Sequence, residues 1–169
     1  MSKYPLFHEK QRGKWCGLHS LNNSLQYIAF TEDDVQEAVK NIREQELQWA
    51  NISRDSVGLS LSNCNGNLDI SVIRHLLESI GIQTVFVRTY GQALRLMTTH
   101  PTQRKAVICA VPGHFFALTH YQCQWYLHDS LSAAPEKVYL YDIFKHLLPK
   151  LASGRYQRLG LRFMYFNIL

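Results

Sequence analysis

The sequence predicts an α+β domain built on an antiparallel sheet. Segments with apolar residues at helical spacing crowd the first half of the chain, while short alternating segments follow one another without intervening helices in the second half. The length, 169 residues, is that of one ordinary domain, expected to occupy residues 1–169. A composition 46% hydrophobic and 18% charged can bury a core, which excludes a disordered chain.

The elements follow in order. Leu18, Leu21, Leu25 and Ile28 fall on one face and predict a helix from about Gly17 to Ile28. The approach Gly13-Lys14-Trp15-Cys16-Gly17 puts Cys16 at or near its N-terminus. Thr31-x-x-Asp34 has the form of a capping box, predicting a helix from Glu32 to Ile42 that continues, broken, toward Trp49. Asn51 to Asn67 is polar and rich in Ser, Asn and Gly, and reads as loop or as the end of a helical arm. Asp69 or Ser71 caps a helix from Ile70 to Ile80, with Val72, Ile73, Leu76, Leu77 and Ile80 as its apolar face and Gly81 as its stop.

Gln83 to Val87 reads as a strand and Gln92 to Thr98 as a short helix. Strands are then expected over Ala106 to Val111, Phe115 to Tyr121 and Gln124 to Leu127, the last two joined by a tight turn at Gln122-Cys123. Leu140, Ile143, Phe144, Leu147 and Leu148 mark a late helix ending near Pro149, and Arg162 to Ile168 a final strand. There is no internal repeat and no low-complexity segment.

Composition narrows the function classes. The net charge of +5 is scattered, with no run of basic residues longer than two, so no nucleic-acid partner is expected. Cys16, Cys64, Cys109 and Cys123 are too few and too irregular for a disulfide framework. Met1 to Arg12 has no apolar stretch of the signal-peptide kind, and no segment approaches the roughly 20 apolar residues that span a bilayer. A monomer in a reducing, cytoplasmic setting is expected, with export into a host cell by a non-Sec route left open.

A thiol at a helix N-terminus is the first candidate for chemistry, because the helix dipole favours the thiolate, which is the nucleophile. A lone cysteine is more often a small buried hydrophobe, and Cys64 and Cys109 fit that description better than Cys16 does. A nucleophile needs a base, and the base an orienting group. With the turn at Gln122-Cys123, Leu118 faces Leu127 and Phe116 faces Asp129, so His114 is diagonal to Asp129 on one face. Phe116, Leu118, Trp125 and Leu127 share that face and are expected to form an apolar wall, while His128 points to the other. Gln11 could donate to an oxyanion beside the Cys16 N–H, though spacing alone argues this weakly.

Neither Cys16-x-x-His19 nor the group His114, His120, Cys123 and His128 has the spacing of a known metal site, so no metal and no other cofactor is expected. His19 follows Cys16 by one turn on the same helix and reads as structural. Asn22 and Asn23 read as packing or loop-anchoring amides. Trp15, beside Cys16, is a bulky group that could wall a cleft there.

Phe7-His8-Glu9-Lys10-Gln11, four residues, then Cys16-Gly17-Leu18-His19-Ser20-Leu21-Asn22-Asn23 closely resembles the start of a Josephin domain, a family of papain-like cysteine proteases that remove ubiquitin. Gly66-Asn67-Leu68-Asp69, Gly113-His114-Phe115-Phe116-Ala117 and Trp125-Tyr126-Leu127-His128-Asp129-Ser130-Leu131 resemble further family segments in order. Phe115 stands where Trp is common, and His128 where an apolar residue is usual.

The resemblance implies a papain-like fold with Cys16 as nucleophile, His114 as general base and acid, Asp129 orienting His114, and Gln11 completing the oxyanion hole. It implies a helical arm within residues 31–65 that gates access, and ubiquitin or polyubiquitin conjugates as partners. The activity implied is thiol-dependent hydrolysis after the ubiquitin C-terminus. A same-fold thiol enzyme acting on a different ubiquitin-like or peptide substrate, and a non-catalytic ubiquitin-binding module, are the alternatives.

Overall fold

The computed structural model describes residues 6–50, 68–111, 113–143, 145 and 162–168. Among these, helices α1 (Cys16–Leu25), α2 (Glu32–Ala50) and α3 (Ile70–Ser79) precede most of the sheet. Then come β1 (Val85–Val87), α4 (Tyr90–Thr98), β2 (Lys105–Val111), β3 (His114–Tyr121), β4 (Gln124–His128), β5 (Glu136–Val138), the single turn α5 (Leu140–Asp142) and β6 (Arg162–Asn167). The α+β class read from the sequence is the one observed.

α1 is buried on every side. Leu18, Leu21 and Leu25 enter the main core, so the helical period was read correctly, but the helix stops before Ile28. Gln26 takes a left-handed conformation, φ 71°, and its N–H donates to Asn22 O at 2.9 Å. The Asn22 side chain then accepts from the N–H groups of Ala29 and Phe30, both at 3.1 Å, and so turns the chain away. Ile28 therefore lies outside the helix and is 63% exposed.

The capping box forms as expected. Asp34 N–H faces Thr31 Oγ1 at 3.4 Å, and the Asp34 carboxylate accepts from the Thr31 N–H and hydroxyl, both at 2.7 Å. α2 runs unbroken to Ala50 rather than breaking after Ile42. Its first turns bury Val35, Ala38 and Val39, while Trp49 near its end is 90% exposed. The remainder of the expected arm, with Cys64 and Gly66-Asn67, lies outside the described residues. Asp69 caps α3 by accepting from Ser71 N–H at 2.8 Å, and Gly81, φ 81°, follows its end.

The six described strands form one antiparallel sheet in the order β1-β6-β2-β3-β4-β5. Tyr121 pairs with Gln124 and Leu118 with Leu127, as the hairpin register requires. Gln122 and Cys123, φ 48° and 61°, make the two-residue turn. α1, α2 and α3 cover one face, over Ala106, Ile108, Ala110, Phe115, Met164 and Phe166. On the other, Val107, Cys109, Leu118, Trp125 and Tyr165 pack with Ala93 and Met97 of α4.

Phe116, Leu118, Trp125 and Leu127 do share a face, but they pack in this second core instead of walling a cleft. β5 was not foreseen: three mostly exposed residues at the sheet edge carry no alternation to read. Of the late helix only the start is described; Phe144, Leu147 and Leu148 lie outside the described residues. No described helix is long and apolar enough to cross a membrane.

Candidate active site

Cys16 is the first residue of α1 and 7% exposed. Trp15 precedes it without a side-chain cap, so the amides of the first turn are left for other acceptors. A β-carbon at Gly17 would lie 3.1 Å from Leu68 Cδ1; glycine lets this end of the helix seat closely against residue 68. Burial pushes the Cys16 thiol above its ordinary range, and the Asp129 charge adds to this. Backbone hydrogen bonds from Phe115, Gly17 and Cys16 itself pull it back only in part. The thiol sits at the start of α1, in contact with the beginning of β3.

Gly113, φ 75°, turns the chain into β3, and His114 is its first residue. His114 Nε2 lies 2.9 Å from Asp129 Oδ1, directly after β4. The other ring nitrogen, Nδ1, has no hydrogen-bond partner among the described residues. The diagonal relation read from the register is therefore the observed one. Asp129 Oδ1 also accepts the Leu131 N–H at 3.0 Å, and Asp129 O accepts the Ser132 N–H at 2.9 Å, which fixes the turn that carries the carboxylate.

Gln11 reaches the same place along a strap, residues 7–12, laid over α1. His19, Asn22, Asn23 and Gln26 recur at helical spacing and pin it down. Gln26 Oε1 accepts Phe7 N–H at 3.1 Å and its Nε2 donates to Phe7 O at 3.3 Å. Asn23 pairs with the Glu9 backbone in both directions, at 2.5 and 3.2 Å. Asn22 Nδ2 donates to Glu9 Oε2 at 3.1 Å. His19 Nε2 accepts Arg12 N–H at 3.1 Å, so Nδ1 carries the ring proton. Nδ1 lies 2.9 Å from Glu9 Oε2, a close polar contact whose geometry falls short of a formed hydrogen bond. The structural reading of His19, Asn22 and Asn23 holds.

On its other side the strap meets the turn after β4. Gln11 N–H donates to Ser130 O at 2.7 Å, and Ser130 Oγ donates to Gln11 Oε1 at 3.1 Å. Gln11 Nε2 donates to Gly13 O at 2.6 Å, which leaves its second hydrogen for another acceptor. Ser130 was missed, since an isolated serine in a turn sends no signal in sequence.

A cleft of about 440 Å³ opens here, lined by Gln11, Lys14, Cys16, Gly113, His114 and Leu131. Three of the four candidate site residues thus face one space, and Asp129 stands behind His114. Trp15 does not line it; it is partly buried against the main core, and its neighbour Lys14 lines the cleft instead. His128 is buried on the face opposite Asp129, its Nε2 2.9 Å from Thr119 Oγ1 and its Nδ1 3.4 Å from His8 Nδ1. Cys109 is a buried strand residue whose thiol burial holds well above the usual range.

The family model for Josephin matches residues 11–161 of this chain. Ataxin-3 of Rattus norvegicus and Ataxin-3 of Homo sapiens are each 28% identical to it over 143 residues, 79% of this chain and 39% of theirs. An ataxin-3 homolog from Caenorhabditis briggsae is 24% identical over 152 residues, 89% of this chain and 47% of its own. The chain spans about two fifths of the length of the curated relatives it matches first. The α+β papain-like fold implied by the sequence resemblance agrees with the helix-on-sheet architecture found here.

Proposed function

The chain belongs to the Josephin family, and from that premise we propose that it is a thiol-dependent deubiquitinase. It hydrolyses the isopeptide or peptide bond after the C-terminus of ubiquitin, in ubiquitin or polyubiquitin conjugates. One observation supports this above the rest: Gln11, Cys16 and His114 line a single cleft, with His114 tied to Asp129 at 2.9 Å.

In the proposed reaction His114 Nδ1 takes the Cys16 proton as sulfur attacks the carbonyl carbon of the terminal glycine. The negative charge on the carbonyl oxygen is met by the Cys16 N–H and by the second hydrogen of Gln11 Nε2. Collapse breaks the C–N bond, and His114 returns the proton to the departing lysine amine. Water, deprotonated by His114, then opens the thioester and releases ubiquitin with a free carboxylate. The Asp129 carboxylate holds the ring by Nε2 and stabilises its cationic form. Burial raises the Cys16 thiol above its ordinary range, so His114 is the group that must take up its proton for attack. No metal or cofactor enters any step. A reducing compartment, which keeps Cys16 as a thiol, suits this chemistry.

The test is intact-mass measurement after mixing the protein with ubiquitin bearing a C-terminal electrophile, with Cys16→Ala alongside. An adduct of one ubiquitin in the wild type alone is expected. No adduct in either, with binding retained, identifies a ubiquitin-binding module. An adduct only with another ubiquitin-like probe moves the substrate and keeps the chemistry.

A further inference from the structure

His8 and His128 stack with ring centroids 5.6 Å apart and an interplanar angle of 28°, between the strap and the sheet. Their Nδ1 atoms are 3.4 Å apart. His8 Nε2 lies 2.9 Å from Ser132 O, and His128 Nε2 lies 2.9 Å from Thr119 Oγ1. These four groups admit one arrangement of protons when both rings are neutral. A carbonyl only accepts, so His8 carries its hydrogen on Nε2 and its Nδ1 accepts. His128 must then donate from Nδ1, its Nε2 accepts, and the Thr119 hydroxyl donates. A continuous chain runs from Thr119 in β3 through His128 in β4 and His8 in the strap to Ser132.

His128 has no exposed surface, and burial together with neighbouring His8 lowers its pKa to about 3, so it stays neutral; the chain runs in the direction given whenever His8 is neutral as well. An apolar residue would fill the same volume without desolvating an imidazole. The cost is matched by what the ring connects. Three residues along the strap, Gln11 is held by the Ser130 backbone and hydroxyl; two residues on from Ser130 is Ser132, the carbonyl that His8 grips. The strap and the turn are thus joined at two points.

We infer that the His8–His128 bridge is a positioning device for Gln11, fixing the strap against the turn that carries Asp129 and Ser130 so that the Gln11 amide is aimed at the oxyanion. This rests on the thiol-hydrolase reading above. His8 and His128 touch no substrate; they act through Gln11. A histidine that only fills the core would stabilise the fold and leave Gln11 indifferent to it.

The experiment measures kcat and KM on ubiquitin with a C-terminal fluorogenic amide for wild type, His128→Leu, Gln11→Ala and the double variant. His128→Leu is expected to lower kcat about tenfold with KM changed less than about twofold. In the Gln11→Ala background it should have no further effect. The same factor in both backgrounds, or an unchanged kcat, overturns the inference. Should His128→Leu fail to fold, His8→Ala at the half-buried end of the bridge is read by the same criteria. His8→Asn, which keeps an acceptor toward His128, should recover part of the loss.

A second readout needs no turnover. The Gln11 side-chain amide resonance, assigned by its disappearance in Gln11→Ala, should be dispersed in the wild type and move to the position of a freely rotating glutamine in His8→Ala. If it stays where it was, the bridge does not position Gln11, whatever the substrate. If wild type cuts no ubiquitin substrate, the enzymatic reading fails, and this resonance alone decides whether the bridge holds Gln11.

Discussion

His114 Nε2 stands 2.9 Å from Asp129 Oδ1, and the same oxygen accepts the Leu131 N–H at 3.0 Å. The carboxylate is held by its own turn before it holds the ring. His114 therefore cannot rotate without losing a bond, and the nitrogen not used by Asp129 is the one available to the cleft.

Two substitutions at Asp129 separate orientation from charge. Asp129→Ala removes both and should lower kcat by about 10²-fold. Asp129→Asn keeps an acceptor oxygen for His114 Nε2 and for Leu131 N–H, so it should retain much more activity. The Asp129 charge raises the Cys16 thiol pKa, so Asp129→Asn should shift the pH profile of Cys16 alkylation by iodoacetamide toward lower pH. A shift toward higher pH would contradict the electrostatic account.

Asn22, 1% exposed, is bonded at every polar atom of its side chain: its oxygen takes Ala29 and Phe30 N–H, and its nitrogen gives to Phe30 O and Glu9 Oε2. Asn22→Ala leaves these partners buried and unmatched, a loss of about 3 kcal/mol, or about 6–12 °C in Tm for a chain of this size. Asn22→Asp has nearly the same shape but places a second carboxylate against Glu9 and should cost more. Thermal unfolding followed by circular dichroism ranks the three proteins; equal Tm for the two variants would show that charge at Glu9 is immaterial.

The pH dependence of stability should carry the mark of His128. Its pKa falls from an ordinary 6.5 to about 3 on folding, so between these values the unfolded chain binds a proton that the folded chain refuses. Stability then rises with pH, and on acidification below about 6.5 this residue alone removes up to about 1.4 kcal/mol per pH unit. The groups around it are His8 from the strap and the neutral Thr119 from β3; Asp129, next in the chain, is on the opposite face. Urea denaturation between pH 7 and 4.5 should give a steeper acid loss for wild type than for His128→Leu. Parallel curves would mean that His128 is protonated in the folded state as readily as in the unfolded.

Much of this was legible in the sequence, for reasons that can be named. The period of Leu18, Leu21 and Leu25, the Thr31–Asp34 box and the Asp69 cap are local signals, and each became the element it announced. The register that pairs Leu118 with Leu127 follows from a two-residue turn, and with it the approach of His114 to Asp129. Other features depend on groups far apart in the chain. The early end of α1 is set by a side chain, Asn22, reaching forward to Phe30. The apolar wall was assigned to the cleft because alternation gives the face of Phe116 and Leu118 but not what packs on it, which is α4. Ser130 and the His8–His128 pair are tertiary pairings with no pattern in one dimension.

The bonds that complete the cleft have a consequence for the making of the protein. Gln11 and Ser130 are 119 positions apart, and His8 and Ser132 are 124 apart. A ribosome delivers the thiol early and the imidazole, the carboxylate and the serine only after some hundred further residues. Until then Cys16 heads its helix with no base, and the strap lacks its anchorage to the turn that holds Ser130 and Ser132. Such long loops close late and slowly, so reactivity at sulfur becomes a reporter of finished folding, and a chain halted midway carries the cysteine without the machinery to use it.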